Sequence, residues 1–212
     1  MRVLSHKKAR SKKENIISMV VLIAFGLLLN CIGSLIATIL SLPLYLDGIG
    51  TLCCAFMGGY IPSIIVGIVA NILTSSFDPI AITYGTLSAL IAVVSTYFHD
   101  REWTKKISGI ICLILSLAAI GGILGAILTY LLYGFGSEDA TGNFAFFVHN
   151  ALGLNLFVSE IIADFFIDIL DKAIIVAAAL LIVKLLPESF KSQMEFGSWK
   201  QSPLSRDAMK II

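Results

Sequence analysis

Residues 159–187 read SEIIADFFIDILDKAIIVAAALLIVKLLP, and two properties of this stretch decide the fold. Its second half is an apolar run broken only by Lys184 and ended by Pro187, which cannot continue a helix. Its first half sets Glu160, Asp164, Asp168 and Asp171 at spacings of four, four and three. At about 100° per residue these carboxylates share an arc of roughly 80°, one face of a helix. Lys172 follows Asp168 at i+4 on the edge of that arc, where an ion pair can form. A charge turned toward lipid at depth costs about 2.5–3.5 kcal/mol, so a stripe of four must face protein or water. Negative charge at a helix N-terminus is favourable by up to about 1 kcal/mol, which accounts for Glu160 and Asp164 but not for Asp171, nearly three turns in. The stretch therefore predicts a membrane helix whose first half lines a polar cavity. Asp168, Asp171 and Lys172 are read as an internal structural ion pair cluster, with a proton or ion relay as the narrower alternative.

The rest of the chain is of the same kind. Of 212 residues, 58% are hydrophobic and 14% charged, against about 25% charged in a soluble domain. Mean hydropathy is +0.93. The first apolar run, 16–40, exceeds the roughly 7–15 residues of a signal-peptide core and is read as a helix that stays in the membrane. A span needs about 20 apolar residues. Six candidates follow: 16–40, 44–58, 61–73, 80–98, 107–132 and 161–186. The second and third are short and meet at GGYIP (58–62), where two glycines and a proline interrupt any continuous helix. They form either two short spans or one re-entrant hairpin. The predicted fold class is an all-α integral membrane protein, a bundle of six transmembrane helices. Cys31, Cys53, Cys54 and Cys112 all fall in apolar runs without His at ligand spacing and are read as buried hydrophobes rather than metal ligands.

Lys and Arg are retained on the cytoplasmic side. Of the 15 basic residues, Arg2, Lys7, Lys8, Arg10, Lys12 and Lys13 precede the first run, Arg101, Lys105 and Lys106 follow the fourth, and Lys184, Lys191, Lys200, Arg206 and Lys210 close the chain. Six crossings place all of these inside, with both termini cytoplasmic, and leave Lys172 as the exception. The outer segments then hold Asp47, Asp78, Glu138, Asp139 and Glu160 and no Lys or Arg.

Polar residues converge on that outer level. Tyr45 and Asp47, in LPLYLDGIGT (42–51), open the second candidate, with Thr51 one turn below; Asn71 and Asp78 close the third; Tyr84 opens the fourth. Residues 133–159 read as a lid carrying His149, Asn150 and Asn155 among aromatics. Together with Asp164 and Asp168, these are the expected ligand-binding residues, in the mixture of apolar walls and few polar groups that a small-molecule site requires. Small residues recur at helical spacing in the first run, as Gly26, Asn30, Ser34 and as Gly33, Ala37. In the fifth run they recur as Gly121, Gly125 and as Ala118, Gly122, Ala126. Such faces allow close helix approach, within the bundle or against a partner subunit. No phosphate loop, GxGxxG, HExxH, CxxC or catalytic Ser/His/Asp order is present, so no enzymatic activity and no cofactor are expected. The basic start of the chain is read as a topology and anionic-lipid anchor rather than a nucleic-acid site.

LPLYLDGIGTLCCAFMGGYIPSIIVGIVANIL (42–73) and DILDKAIIVAAALLIVKLLP (168–187) resemble the membrane substrate-binding (S) components of energy-coupling factor (ECF) vitamin transporters. The resemblance spans residues 16–187 and implies a six-helix bundle with a vitamin-sized site near the outer surface, roofed by the loops after the first, third and fifth helices. It also implies a multi-pass protein of the bacterial cell membrane whose first helix, through Gly26, Asn30, Gly33, Ser34 and Ala37, contacts a coupling subunit driven by two ATPases. Residues 1–15 are then a basic cytoplasmic segment and 188–212 a cytoplasmic tail or linker. That tail resembles the exit from S-component-like sensor domains at the front of bacterial signalling proteins, which gives the alternative reading. The charge bias of the outer segments favours a neutral or cationic ligand over a polyanion.

Overall fold

The two faces of the first helix organise everything else. α1 (Lys12–Ile39) is 28 residues long. Ile16, Ile17, Val20, Val21, Leu28, Ile32, Leu35 and Ile36 stand exposed along one side, while Leu22, Asn30 and Ala37 are buried on the other. A water-facing helix does not present such a continuous apolar stripe, whereas a helix in lipid does. The structure, a computed structural model, describes residues 12–76, 79–134 and 140–194.

The described residues are all helical or connecting, with no strand. After α1 come α2 (Ile49–Met57), α3 (Tyr60–Thr74), α4 (Gly85–Asp100), α5 (Ile107–Ala118), α6 (Gly125–Tyr133), α7 (Ala140–Leu152), α8 (Leu156–Leu185) and α9 (Glu188–Met194). A 3₁₀ segment, Pro79–Tyr84, leads into α4. A π turn, Ala119–Leu124, joins α5 to α6 without interrupting the rod.

Three helical stretches are long and apolar enough to cross a membrane: Lys13–Ile39, Ala81–Asp100 and Ile107–Leu132. The count of six spans is not reproduced on this measure, and the reasons are physical. α2 has 9 residues and so measures about 14 Å, less than half of a hydrocarbon core of about 30 Å. α3, with 15 residues, reaches about 22 Å. The two form a helical hairpin that turns at Gly58 and Gly59; Gly59 adopts φ 81°, a left-handed conformation that a side chain resists. α8 is long enough at 30 residues, but it carries the four carboxylates, Lys172 and Lys184.

α2 is the centre of the bundle. Every residue from Gly50 to Met57 is buried, enclosed by α1, α3, α4 and α8. Its approach to α1 is backbone against backbone: a Cβ on Gly50 would lie 1.8 Å from the Gly26 carbonyl oxygen. Leu22, Leu52, Val66, Leu113, Leu117, Ile175 and Val176 belong to one core cluster and are almost wholly buried.

Several expectations change here. Residues 140–152 of the expected lid are the helix α7, packed on α8. Tyr45 and Asp47 lie in the connection ahead of α2 rather than within it. Part of the tail folds back as α9, where Phe190 meets Phe25 edge to face and Met194 is buried. Cys31 and Cys112 are exposed on their helices, and only Cys53 and Cys54 are buried. Asp78, Glu138 and Asp139 lie outside the described residues.

Candidate functional site

The α1–α2 connection, residues 40–48, makes one wall of the site and is held in place from two sides. The first three or four N–H groups of a helix have no partner within it, and Gly48, which precedes α2, has no side chain to supply one. Asn30 of α1 supplies it instead: its Oδ1 accepts from the N–H of Gly50 at 2.6 Å and of Thr51 at 3.2 Å, and its Nδ2 donates to Thr51 Oγ1 at 3.0 Å. From the opposite side Asp171 of α8 uses one oxygen, Oδ1, to accept the N–H of both Tyr45 and Leu46, each at 3.0 Å. Leu46 sits at φ 51°, unusual for a residue with a side chain, and its carbonyl oxygen lies where a Cβ on Gly33 would be, at 2.1 Å.

The other oxygen of Asp171 receives Lys172 Nζ at 2.7 Å, and Asp168 Oδ1 receives the same ammonium at 3.4 Å. All three side chains are buried. Lys172 is thus paired with both Asp171 and Asp168, and Asp171 ties α8 to the backbone ahead of α2.

Above this cluster opens a cavity of about 720 Å³. α1 contributes Ser34, Ala37 and Thr38; the connection contributes Leu44, Tyr45 and Asp47. α3 and α4 add Asn71, Thr74, Leu87, Ser88 and Ile91. The 3₁₀ segment adds Ala81 and Tyr84, and the α5–α6 rod adds Gly121, Gly122, Gly125 and Thr129. α8 closes the circle with Glu160, Asp164, Ile167, Asp168 and Lys172. Four carboxylates and one ammonium thus face the space, a concentration of negative charge that repels anions.

Two glycines of the π turn let α8 come this close. A Cβ on Gly121 would lie 1.7 Å from Asp168 Oδ2, and one on Gly122 would lie 2.6 Å from the Cα of Phe165. Widened turns of this kind cluster at functional sites. Here the turn lies against the buried carboxylate of Asp168.

Of the residues predicted from sequence, Tyr45, Asp47, Asn71, Tyr84, Asp164 and Asp168 come together on the cavity wall. Asn71 is fixed by donating to Gly67 O and Ser88 Oγ, both at 2.8 Å, and Tyr84 is hydrogen-bonded to Thr129 Oγ1. Thr51 does not reach the cavity; its hydroxyl belongs to Asn30. Asn155 caps α8 by accepting from Val158 N at 2.8 Å, and His149 Nδ1 is engaged with Leu154 O in the α7–α8 turn. These two, and the exposed Asn150, stand away from the cavity wall. The small-residue stripe of α1 is placed inside the bundle rather than on its surface. Gly26 lies against Cys54 and Gly50, Gly33 against Leu46, Asn30 against Thr51, and Ser34 and Ala37 on the cavity. Sequence reasoning passed over Thr38, Ser88 and Thr129, isolated hydroxyls in apolar runs that nothing but their placement distinguishes.

Among the described residues no three His, Cys, Asp or Glu side chains converge closely enough to hold a metal ion. Comparison with models of protein families, with curated proteins and with solved structures gives no match.

Proposed function

We propose that the chain is a membrane-embedded binding protein for a small, vitamin-sized molecule, acting as the substrate-binding subunit of an importer that draws energy from partner proteins. The observation that carries this reading is the cavity. Its volume of about 720 Å³ lies within the roughly 300–1,000 Å³ of small-molecule sites, and its wall sets polar and charged side chains among apolar ones. The cavity opens at one end of the bundle, the end of the α1–α2 connection. All described Lys and Arg residues except Lys172 lie toward the opposite end, on α1's start, the 101–106 loop, α8's end and α9. By the retention of basic residues inside, the cavity faces outward and both ends of the described chain face the cytoplasm. A binder of this kind hydrolyses nothing itself, so uptake depends on a coupling subunit and ATPases.

One observation favours a second reading, an N-terminal membrane sensor of a signalling protein. The α1 stripe that a coupling subunit would contact is engaged within the bundle, which leaves ligand binding in place without that docking face. Purification from native membranes followed by mass spectrometry tests both readings. A co-purifying small molecule together with ATPase subunits supports the importer. A small molecule on a chain continuous with a signalling domain supports the sensor, and a protein that never carries a small molecule refutes both.

A further inference from the structure

A second, much smaller space adjoins the cavity and shares Asp47, Ser88, Ile91 and Lys172 with it. Gly48, Thr51, Leu52 and Ile175 complete its wall, and its volume is about 20 Å³. A space holds a water molecule once it exceeds about 10–15 Å³ and two to four polar groups line it. Asp47, Thr51, Ser88 and Lys172 are such groups. Lys172 and Thr51 are 6% and 2% exposed, so bulk solvent serves neither of them.

Each of these groups keeps a hydrogen-bonding position unspent. An ammonium has three N–H donors. Asp171 Oδ2 takes one from Lys172 at 2.7 Å and Asp168 Oδ1 another at 3.4 Å; the third has no acceptor among the described residues. Thr51 Oγ1 accepts from Asn30 Nδ2 at 3.0 Å, which engages its oxygen, while its hydrogen has no acceptor among the described residues. Ser88 Oγ accepts from Asn71 Nδ2 at 2.8 Å and keeps a second lone pair. Asp47 brings a carboxylate, which only accepts, and no direct ion pair joins it to Lys172.

We propose that one buried water molecule occupies this space, accepting from Lys172 Nζ and Thr51 Oγ1 and donating to the Asp47 carboxylate and Ser88 Oγ. The charges on the wall select such an occupant. An anion would meet the Asp47 carboxylate, and a metal cation would meet the Lys172 ammonium. A neutral molecule that both donates and accepts satisfies the two together, and the volume admits one of that size. The water carries the contact from Lys172 to Asp47. It thereby ties the α1–α2 connection to α8 a second time, beside the direct bonds from Tyr45 and Leu46 to Asp171. The inference goes beyond the binding-protein reading and holds whether or not the larger cavity takes a ligand.

A crystal structure of the full chain, grown in a lipidic mesophase at a resolution that shows ordered water, tests the assignment, with a parallel bromide soak. One density peak is expected at about 2.7–3.2 Å from Lys172 Nζ, Thr51 Oγ1, Ser88 Oγ and an Asp47 oxygen, with no anomalous bromide signal. A space without a peak, or one closed by a shifted side chain, overturns the proposal. A bromide signal overturns it in favour of an anion. Thr51→Val, which exchanges the hydroxyl for a methyl, is expected to lose the peak, whereas Thr51→Ser keeps it. A peak undiminished in Thr51→Val contradicts the assignment of Thr51 as a donor and overturns the site as drawn. Should Thr51→Val fail to fold for want of the Asn30 bond, the maps of the native chain and of Thr51→Ser decide, and a peak missing from either overturns the proposal.

Discussion

Asp171 Oδ1 accepts the backbone N–H of Leu46 at 3.0 Å across 125 positions of sequence. Because Asp171 Oδ2 holds Lys172 at the same time, one buried carboxylate joins the wall of the cavity to its charged floor. Breaking a buried ion pair costs up to about 3–5 kcal/mol, and removal of Asp171 leaves Lys172 with only the longer contact to Asp168, at 3.4 Å. Asp171→Ala is therefore expected to lower the thermal unfolding midpoint in detergent substantially. Asp171→Asn, which keeps an acceptor for Tyr45 and Leu46, should fall between Ala and the native residue. A midpoint unchanged by Asp171→Ala would show that the link contributes nothing to stability.

Asn30 and Gly33 act inside the molecule. Asn30→Ala leaves the N–H groups of Gly50 and Thr51 without a partner, which costs about 1–3 kcal/mol for a buried group. Gly33→Ala drives a methyl into the Leu46 carbonyl oxygen, and overpacking of this kind typically costs about 1–3 kcal/mol. Both variants are expected to unfold at lower temperature as isolated proteins. Native stability with loss of a co-purifying protein would instead assign the stripe to docking.

The contrast between these residues and the carboxylate stripe shows what the sequence made legible. Glu160, Asp164, Asp168 and Asp171 could be placed on one inward face because helical spacing and the cost of charge in lipid act within a single element. The role of Asn30 could not be read in the same way. It depends on α2 beginning at Ile49, just after a glycine without a side chain, and on α1 and α2 touching through Gly26 and Gly50, the last of which is a fact of tertiary arrangement. His149 and Asn155 read as site residues in the sequence because polar residues among aromatics look alike whether they meet a ligand or close a turn. The short α2 was legible as an interruption at GGYIP, while its burial on all sides was not, since a fully apolar segment has no face to betray its neighbours.

Gly121→Ala tests how the π turn positions Asp168. The substitution raises helix propensity, so the rod should persist, but the added Cβ occupies the position now held by Asp168 Oδ2. The carboxylate must move, and affinity for the co-purifying molecule is expected to fall about tenfold with the helical signal in circular dichroism unchanged. Native affinity would show that the carboxylate is not held by this contact.

Asp47→Asn addresses the wall itself. Asp47 lines the cavity between the tethered Leu46 and the start of α2. The variant is expected to insert and fold while binding the co-purifying molecule about tenfold more weakly, about 1.4 kcal/mol. Equal affinity, measured by calorimetry on the folded variant, would reduce Asp47 to favourable charge at the N-terminus of α2.

The central claim, that the cavity holds a small molecule, is tested most directly by native mass spectrometry of the protein released from detergent, beside a variant with the cavity blocked. Thr38 is exposed on α1 and also lines the cavity, so Thr38→Trp places bulk at its mouth without disturbing buried packing. The native chain is expected to carry one small-molecule adduct per protein, and the Thr38→Trp chain to be folded and free of it. A native chain that is always bare, or an adduct retained equally by the blocked variant, would contradict the account.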